Sequence, residues 1–288
     1  MLSPMARSLL SAAALLLVLA GCAPADDSDA TPTPGATGLT CGKDQLQTKT
    51  AGKLTIATDN PAYEPWFKDN KPENGQGFES AVAYAVAEKL GYAKSDVTWV
   101  RVTFNNAIAP GPKQFDFDVN QFSITEDRKK AVDFSAPYYL VRQTVIALKS
   151  SKIAGATTMA ALKDAKLGAQ VGTTSYQAIT DLIKPSTQPQ VYNSNDDAKK
   201  ALQNGQIDGL VVDLPTAFFM TAAELEGGVI VGQLPQVGVP EQFGLVLDKG
   251  SSLTGCVTQA VDQLRGAGTL TTLEKEWLTS SAGARELT

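Results

Sequence analysis

Within eight residues of Asn120 the chain carries Ser123, Thr125 and Arg128, in the run Asp116-Phe-Asp-Val-Asn-Gln-Phe-Ser-Ile-Thr-Glu-Asp-Arg128. The run opens apolar and turns polar at Asn120-Gln121. A guanidinium offers a rigid fork that matches a carboxylate, and nearby hydroxyls can fill its remaining lone pairs. Taken alone the pattern reads as a strand end and a solvated turn. The rest of the chain favours an anion site. Other chemistries are closed. There is no histidine, which removes Ser-His-Asp and Cys-His catalysis and any zinc site needing imidazole. No cofactor is expected. The net charge is −5 with no basic stretch, so nucleic acid is not an expected partner.

The elements that would position these residues follow from alternation and punctuation. Lys53 to Thr58 alternates and enters the loop Asp59-Asn60-Pro61, as a strand does. Ser80 to Leu90 reads as an amphipathic helix stopped by Gly91, with Ser80 at its N-cap or in its first turn. Strands are expected at Val97–Val102 and Phe115–Val119, with a weak helix opening at Thr103-Phe104. Strand, helix and strand at this spacing imply parallel pairing. A second set follows. It comprises strands at Thr144–Lys149, Lys166–Gln170 and Gly209–Asp213, and helices at Thr157–Lys163, from Gly172 through Ile183, at Asp196–Asn204 and at Pro215–Leu225. A strand at Phe243–Leu247 and helices at Leu253–Ala267 and Thr271–Leu278 close the chain, so one α/β unit is inserted in another.

The first 21 residues read as a leader. Arg7 precedes an apolar run, Leu9 to Ala20, too short to span a bilayer of about 30 Å as a helix. It ends Leu19-Ala20-Gly21-Cys22, which resembles a bacterial lipobox and implies lipid on Cys22. Residues 22–50 hold few large apolar side chains at their start and read as a disordered tether and lead-in. Cys41 and Cys256 remain; in an exported protein they are expected to pair, the alternative being two separate buried thiols.

The run ending in Ser123-Ile124-Thr125 and Arg128, followed by Asp133-Phe134-Ser135 and Tyr138-Tyr139, resembles the signature of extracytoplasmic polar amino acid-binding proteins of ABC importers, solute-binding protein family 3. The resemblance runs from about Leu54 to the C-terminus. It implies a type II periplasmic-binding-protein fold: lobe 1 from residues 51–141 and 243–288, lobe 2 from 142–242, two crossovers near Leu140–Gln143 and Pro240–Gln242, and a ligand between the lobes. Ligands of open α/β sheets sit beyond the carboxyl ends of strands. By resemblance Arg128 would grip a ligand α-carboxylate, with Thr174, after Gly172-Thr173 at a helix start, beside it. Asp213 would hold the α-ammonium, and Ser123 would lie near both. Tyr63 and Phe104 match aromatics that cover the ligand side chain, though each also fits ordinary core packing. Asp59 and Gln170 would face the side chain, as in some binders of basic amino acids. Asn120 and Gln121 depart from the small serines of several relatives.

The resemblance implies a lipid-anchored, non-enzymatic binding protein: a monomer on the outer face of the cytoplasmic membrane that captures an L-amino acid, basic or polar and arginine-like first, and delivers it to an ABC permease and its ATPase. Two alternatives stay open. One is an enzyme on the same fold, such as a cyclohexadienyl or arogenate dehydratase, for which Glu64 or Glu126 would have to act as the acid. The other is a sensory domain working through a partner.

Overall fold

A computed structural model describes residues 40–278 and 284–288. The leader 1–21, Cys22 and most of the tether lie outside the described residues. In chain order the strands are β1 (Leu54–Thr58), β2 (Val97–Arg101), β3 (Phe117–Asp118), β4 (Val132–Phe134), β5 (Tyr139–Leu140), β6 (Gln143–Leu148), β7 (Leu167–Gln170), β8 (Gln190–Tyr192), β9 (Gly209–Asp213), β10 (Gly228–Gln233), β11 (Gln242–Phe243) and β12 (Val246–Asp248). The α-helices are α1 (Phe78–Lys89), α2 (Phe104–Ile108), α3 (Glu126–Lys129), α4 (Thr174–Ala178), α5 (Asn195–Gln203), α6 (Leu214–Phe219), α7 (Thr254–Gly266) and α8 (Thr269–Leu278). No helix among the described residues is long and apolar enough to cross a membrane.

Two five-stranded sheets organise the chain. The first runs β2-β1-β3-β12-β4. Its β1 pairs parallel with β2 and β3, as the spacing implies, while the returning β12 runs antiparallel to β3 and β4. Every residue of β1 is buried, as expected of a strand covered on both faces. The second sheet runs β10-β6-β9-β7-β8. Between the sheets, β5 and β11 form a two-stranded antiparallel crossover through Tyr139↔Phe243 and Leu140↔Gln242.

The helix expected at Ser80–Leu90 begins at Phe78, and Gly77 takes the N-cap position. Gly77 has φ 93°, and a Cβ there would lie 2.5 Å from the Trp66 carbonyl, so only glycine fits. Ser80 lies in the first turn and donates to the Pro72 carbonyl at 2.6 Å. The first three residues, Phe78, Glu79 and Ser80, are all buried, so this end is not amphipathic. The strand expected at Phe243–Leu247 is two pieces, β11 and β12. Three strands were not expected: β4, β8 and β10.

Cys41 and Cys256 are joined in a disulfide that ties the lead-in to α7. The C-terminal residues depart from the expected lobe boundary. Gln233 N–H donates to the Arg285 carbonyl, Leu287 N–H donates to the Gln233 carbonyl, and Leu287 is buried in the core of the second sheet. The last residues therefore pack on lobe 2 and not, as expected, on lobe 1.

Candidate functional site

Ten of the eleven residues expected around a ligand line one cavity between the sheets. On the lobe 1 side, Asp59 follows β1. Its Oδ2 accepts from the Phe104 N–H at 3.1 Å, which fixes the start of α2, and its Oδ1 accepts from Asn60 N–H. It thus caps a turn and faces the cavity at once. Phe104 stacks on Phe122, ring centroids 4.9 Å apart, and the Arg128 guanidinium lies over the Phe104 ring at 5.2 Å, a cation–π placement. Thr125 caps α3 by accepting from Arg128 N–H. Arg128 then reaches across, donating to the Ser123 carbonyl at 2.7 Å and to the Gly172 carbonyl of the opposite lobe at 3.0 Å. Burial draws its pKa down to about 10, against the opposing pull of Glu241 and Asp213. Tyr63 also lines the cavity; its hydroxyl is buried with no hydrogen-bond partner among the described residues. Asn120 and Gln121 complete this wall.

The lobe 2 wall comes from strand ends and a helix start. Gln170 ends β7 and Asp213 ends β9. Thr173 caps α4: its hydroxyl donates to the Gln170 carbonyl at 2.7 Å and accepts from Tyr176 N–H. Thr174 follows as the first residue of α4. Burial, then the neighbouring Glu241, pushes the Asp213 carboxyl well above the usual range. Gln143 Nε2 donates to it at 2.8 Å.

Ser123 does not line the cavity. Its hydroxyl lies 3.1 Å from that of Thr174 and donates to Glu241 Oε1 at 2.5 Å, where Thr174 Oγ1 also donates at 2.6 Å. Glu241 stands beside β11 in the crossover, so one carboxylate ties a hydroxyl of each lobe. Its role was not legible: a glutamate after Val239-Pro240 reads as loop surface. Asn195, Val212 and Ser175 were also missed. Ser175 could have been found as the neighbour of Thr174; its hydroxyl donates to Gln143 Oε1 at 2.7 Å, which turns Gln143 Nε2 toward the acids. Glu64 and Glu126 do not line the cavity. Glu126 has a side chain 86% exposed and pairs with Lys129.

The arrangement places one cation and two carboxylates around a space walled by aromatic and amide groups. It can hold a molecule bearing both charges. Residues 54–280 match the bacterial extracellular solute-binding proteins, family 3. The chain belongs to that family. As a family 3 solute-binding protein it has the two-lobed type II periplasmic-binding-protein fold, with β5 and β11 as the crossovers. It is 26% identical over 244 residues to an arginine-binding extracellular protein of Bacillus subtilis, across 83% of this chain and 91% of that one. An ancestral arginine-binding protein solved with arginine shares 30% identity at a TM-score of 0.66, covering 78% of this chain and 98% of that one. An ancestral arginine-binding protein solved with glutamine shares 29% identity at a TM-score of 0.66, covering 79% of this chain and 98% of that one.

Proposed function

We propose that this solute-binding protein captures an L-amino acid with a cationic side chain, arginine first, and delivers it to an ABC permease driven by its ATPase. The observation that carries the reading is the charge of the cavity wall. Asp59 and Asp213 face it against the single cation Arg128. A zwitterionic backbone group would use Arg128 for its carboxylate and Asp213 for its ammonium. Asp59 is then left for the side chain, and a carboxylate withdrawn from water favours a cationic partner. Gln170 can donate and accept, which suits a guanidinium. An aliphatic ligand would leave these polar groups unpaired, and sites built for hydrogen bonds reject such analogues. Arginine-binding relatives support the same choice. Glu64 and Glu126, the two acids named for the enzymatic alternative, do not line the cavity.

Calorimetry on refolded, ligand-stripped protein tests this. Arginine should bind more tightly than leucine or glutamate; the reverse order would overturn the side-chain assignment. We further propose that lipid on Cys22 holds the protein at the outer face of the membrane, on the strength of Leu19-Ala20-Gly21-Cys22. Cys22→Ser should move it to the soluble fraction. Unchanged retention, with no lipid found by mass spectrometry, would refute the anchor.

A further inference from the structure

Behind the cavity wall lies a buried carboxylate that does not line the cavity. Glu79 is fully buried in the first turn of α1. Three donors converge on it. Gln121 N–H donates to Oε1 at 2.7 Å, Gln121 Nε2 donates to Oε2, and the Tyr138 hydroxyl donates to Oε1. Gln121 is the one cavity-lining residue with a positive φ, 48°. That conformation is disfavoured for a residue with a Cβ and persists only where the surroundings hold it. The paired bonds from its backbone and side chain to one buried carboxylate supply the hold.

The bonds also set a polarity. An ionised carboxylate only accepts, so the end of the Gln121 amide facing it must be the NH2 end. No donor among the described residues reaches Gln121 Oε1, which leaves a carbonyl acceptor for the cavity. We propose that Glu79 is a specificity-determining residue: acting through Gln121, it makes this wall of the cleft an acceptor that selects a ligand N–H over a ligand carbonyl or carboxylate. The proposal rests on the amino acid-binding reading above.

A pH dependence follows. The ionisable groups that face Glu79 are Tyr138 and, at longer range, the Asp118 and Asp213 carboxyls. Burial raises Glu79 to about 7, while the bonds from Tyr138 and Gln121 oppose the rise. A protonated Glu79 would present an O–H to the amide. The amide then turns over, its carbonyl accepts from Glu79, and its NH2 faces the cleft. Selection for a donor should therefore weaken as the pH falls through about 7.

L-arginine and its neutral isostere L-citrulline, which carries a carbonyl oxygen where arginine carries an N–H group, separate the two polarities. Calorimetry on the full chain should give an arginine preference of about tenfold or more above pH 7 that shrinks below it. Glu79→Gln should cut the preference and remove its pH dependence, because a neutral amide can donate to the Gln121 carbonyl. Gln121→Ala, a half-buried cleft position, should cut it from the other side, and carries the test if Glu79→Gln does not fold. An unchanged preference in Gln121→Ala overturns the proposal. So does a parallel loss for both ligands in Glu79→Gln, which would mark a merely structural residue. The contact is read without ligand by NMR: the Gln121 amide signals should titrate near pH 7 in the wild type and stay flat in Glu79→Gln. Flat wild-type signals overturn the proposal whatever binds. Titrating signals in a protein that binds no amino acid support the Glu79–Gln121 contact and refute the amino acid-binding reading instead.

Discussion

Arg128 gives two of its N–H groups to backbone carbonyls, one in each lobe, before any ligand is considered. Those bonds aim the guanidinium, and its remaining donors are left for the cavity. Arg128→Ala should therefore remove both the carboxylate partner and a lobe-to-lobe bond, costing about 2–5 kcal/mol of ligand binding by calorimetry. A much smaller loss would mean that the carboxylate seat lies elsewhere. The Ser123 and Thr174 hydroxyls are committed too. Both donate to Glu241, so toward the cavity, which Thr174 lines and Ser123 does not, Thr174 offers a lone pair. A Thr174 hydroxyl read from the sequence as a donor beside a carboxylate is here an acceptor suited to an ammonium. The buried acids carry a stability consequence. Glu79 is raised to about 7, and Asp118 and Asp213 are raised in the same direction, chiefly by burial. An acid that holds its proton more tightly folded than unfolded stabilises the fold at low pH, and that stability is lost as the pH rises to the folded value. Thermal unfolding should show stability falling between about pH 5 and pH 7, by up to about 3 kcal/mol from Glu79 alone. Glu79→Gln should flatten that part of the curve.

The start of α4 shows how an element serves the site. Gly172 has φ 76°, and a Cβ there would lie 2.5 Å from Asn105 Oδ1 of the opposite lobe. Gly172→Ala should raise the energy of the turn by about 1–3 kcal/mol and hold the lobes apart, seen as a lower melting temperature together with weaker binding. Asn105→Ala in the same chain should restore the part due to the clash. Much of this architecture was legible. The strand ends carrying Asp59, Gln170 and Asp213 fall where alternation and turn residues place them, because each strand is buried and each is followed by polar punctuation. What was not legible depends on partners distant in the chain. The edge strand β8 exposes Gln190 and Val191, so no core pattern marks it. The strand β10 lies between glycines, and Gly232 is needed because Leu287 packs where its Cβ would be, at 2.8 Å. Glu79 sits in a helix that looks ordinary, and nothing local shows that Gln121 and Tyr138 will converge on it.

At the scale of the molecule, Cys41–Cys256 spans 215 residues of sequence. Closing a loop of that length removes unfolded-state entropy worth roughly 5 kcal/mol at most. Replacing both cysteines with serine should lower the unfolding free energy by up to that amount in denaturant titrations. Two thiols titrating in denaturant without reductant, on a protein lacking Cys22, would contradict the bond. Near the other end, Leu287 is buried among lobe 2 residues and Met159 N–H donates to the Thr288 carbonyl. The early residues hold to the other lobe, through the disulfide to α7 and through Lys49 N–H to Asp116 Oδ1 at 2.7 Å. Fluorophores attached near Lys43 and at Thr288 would thus ride on separate lobes. Energy transfer between them should change when arginine is added, which would make the doubly labelled chain an optical reporter of its own hinge with no label near the cleft.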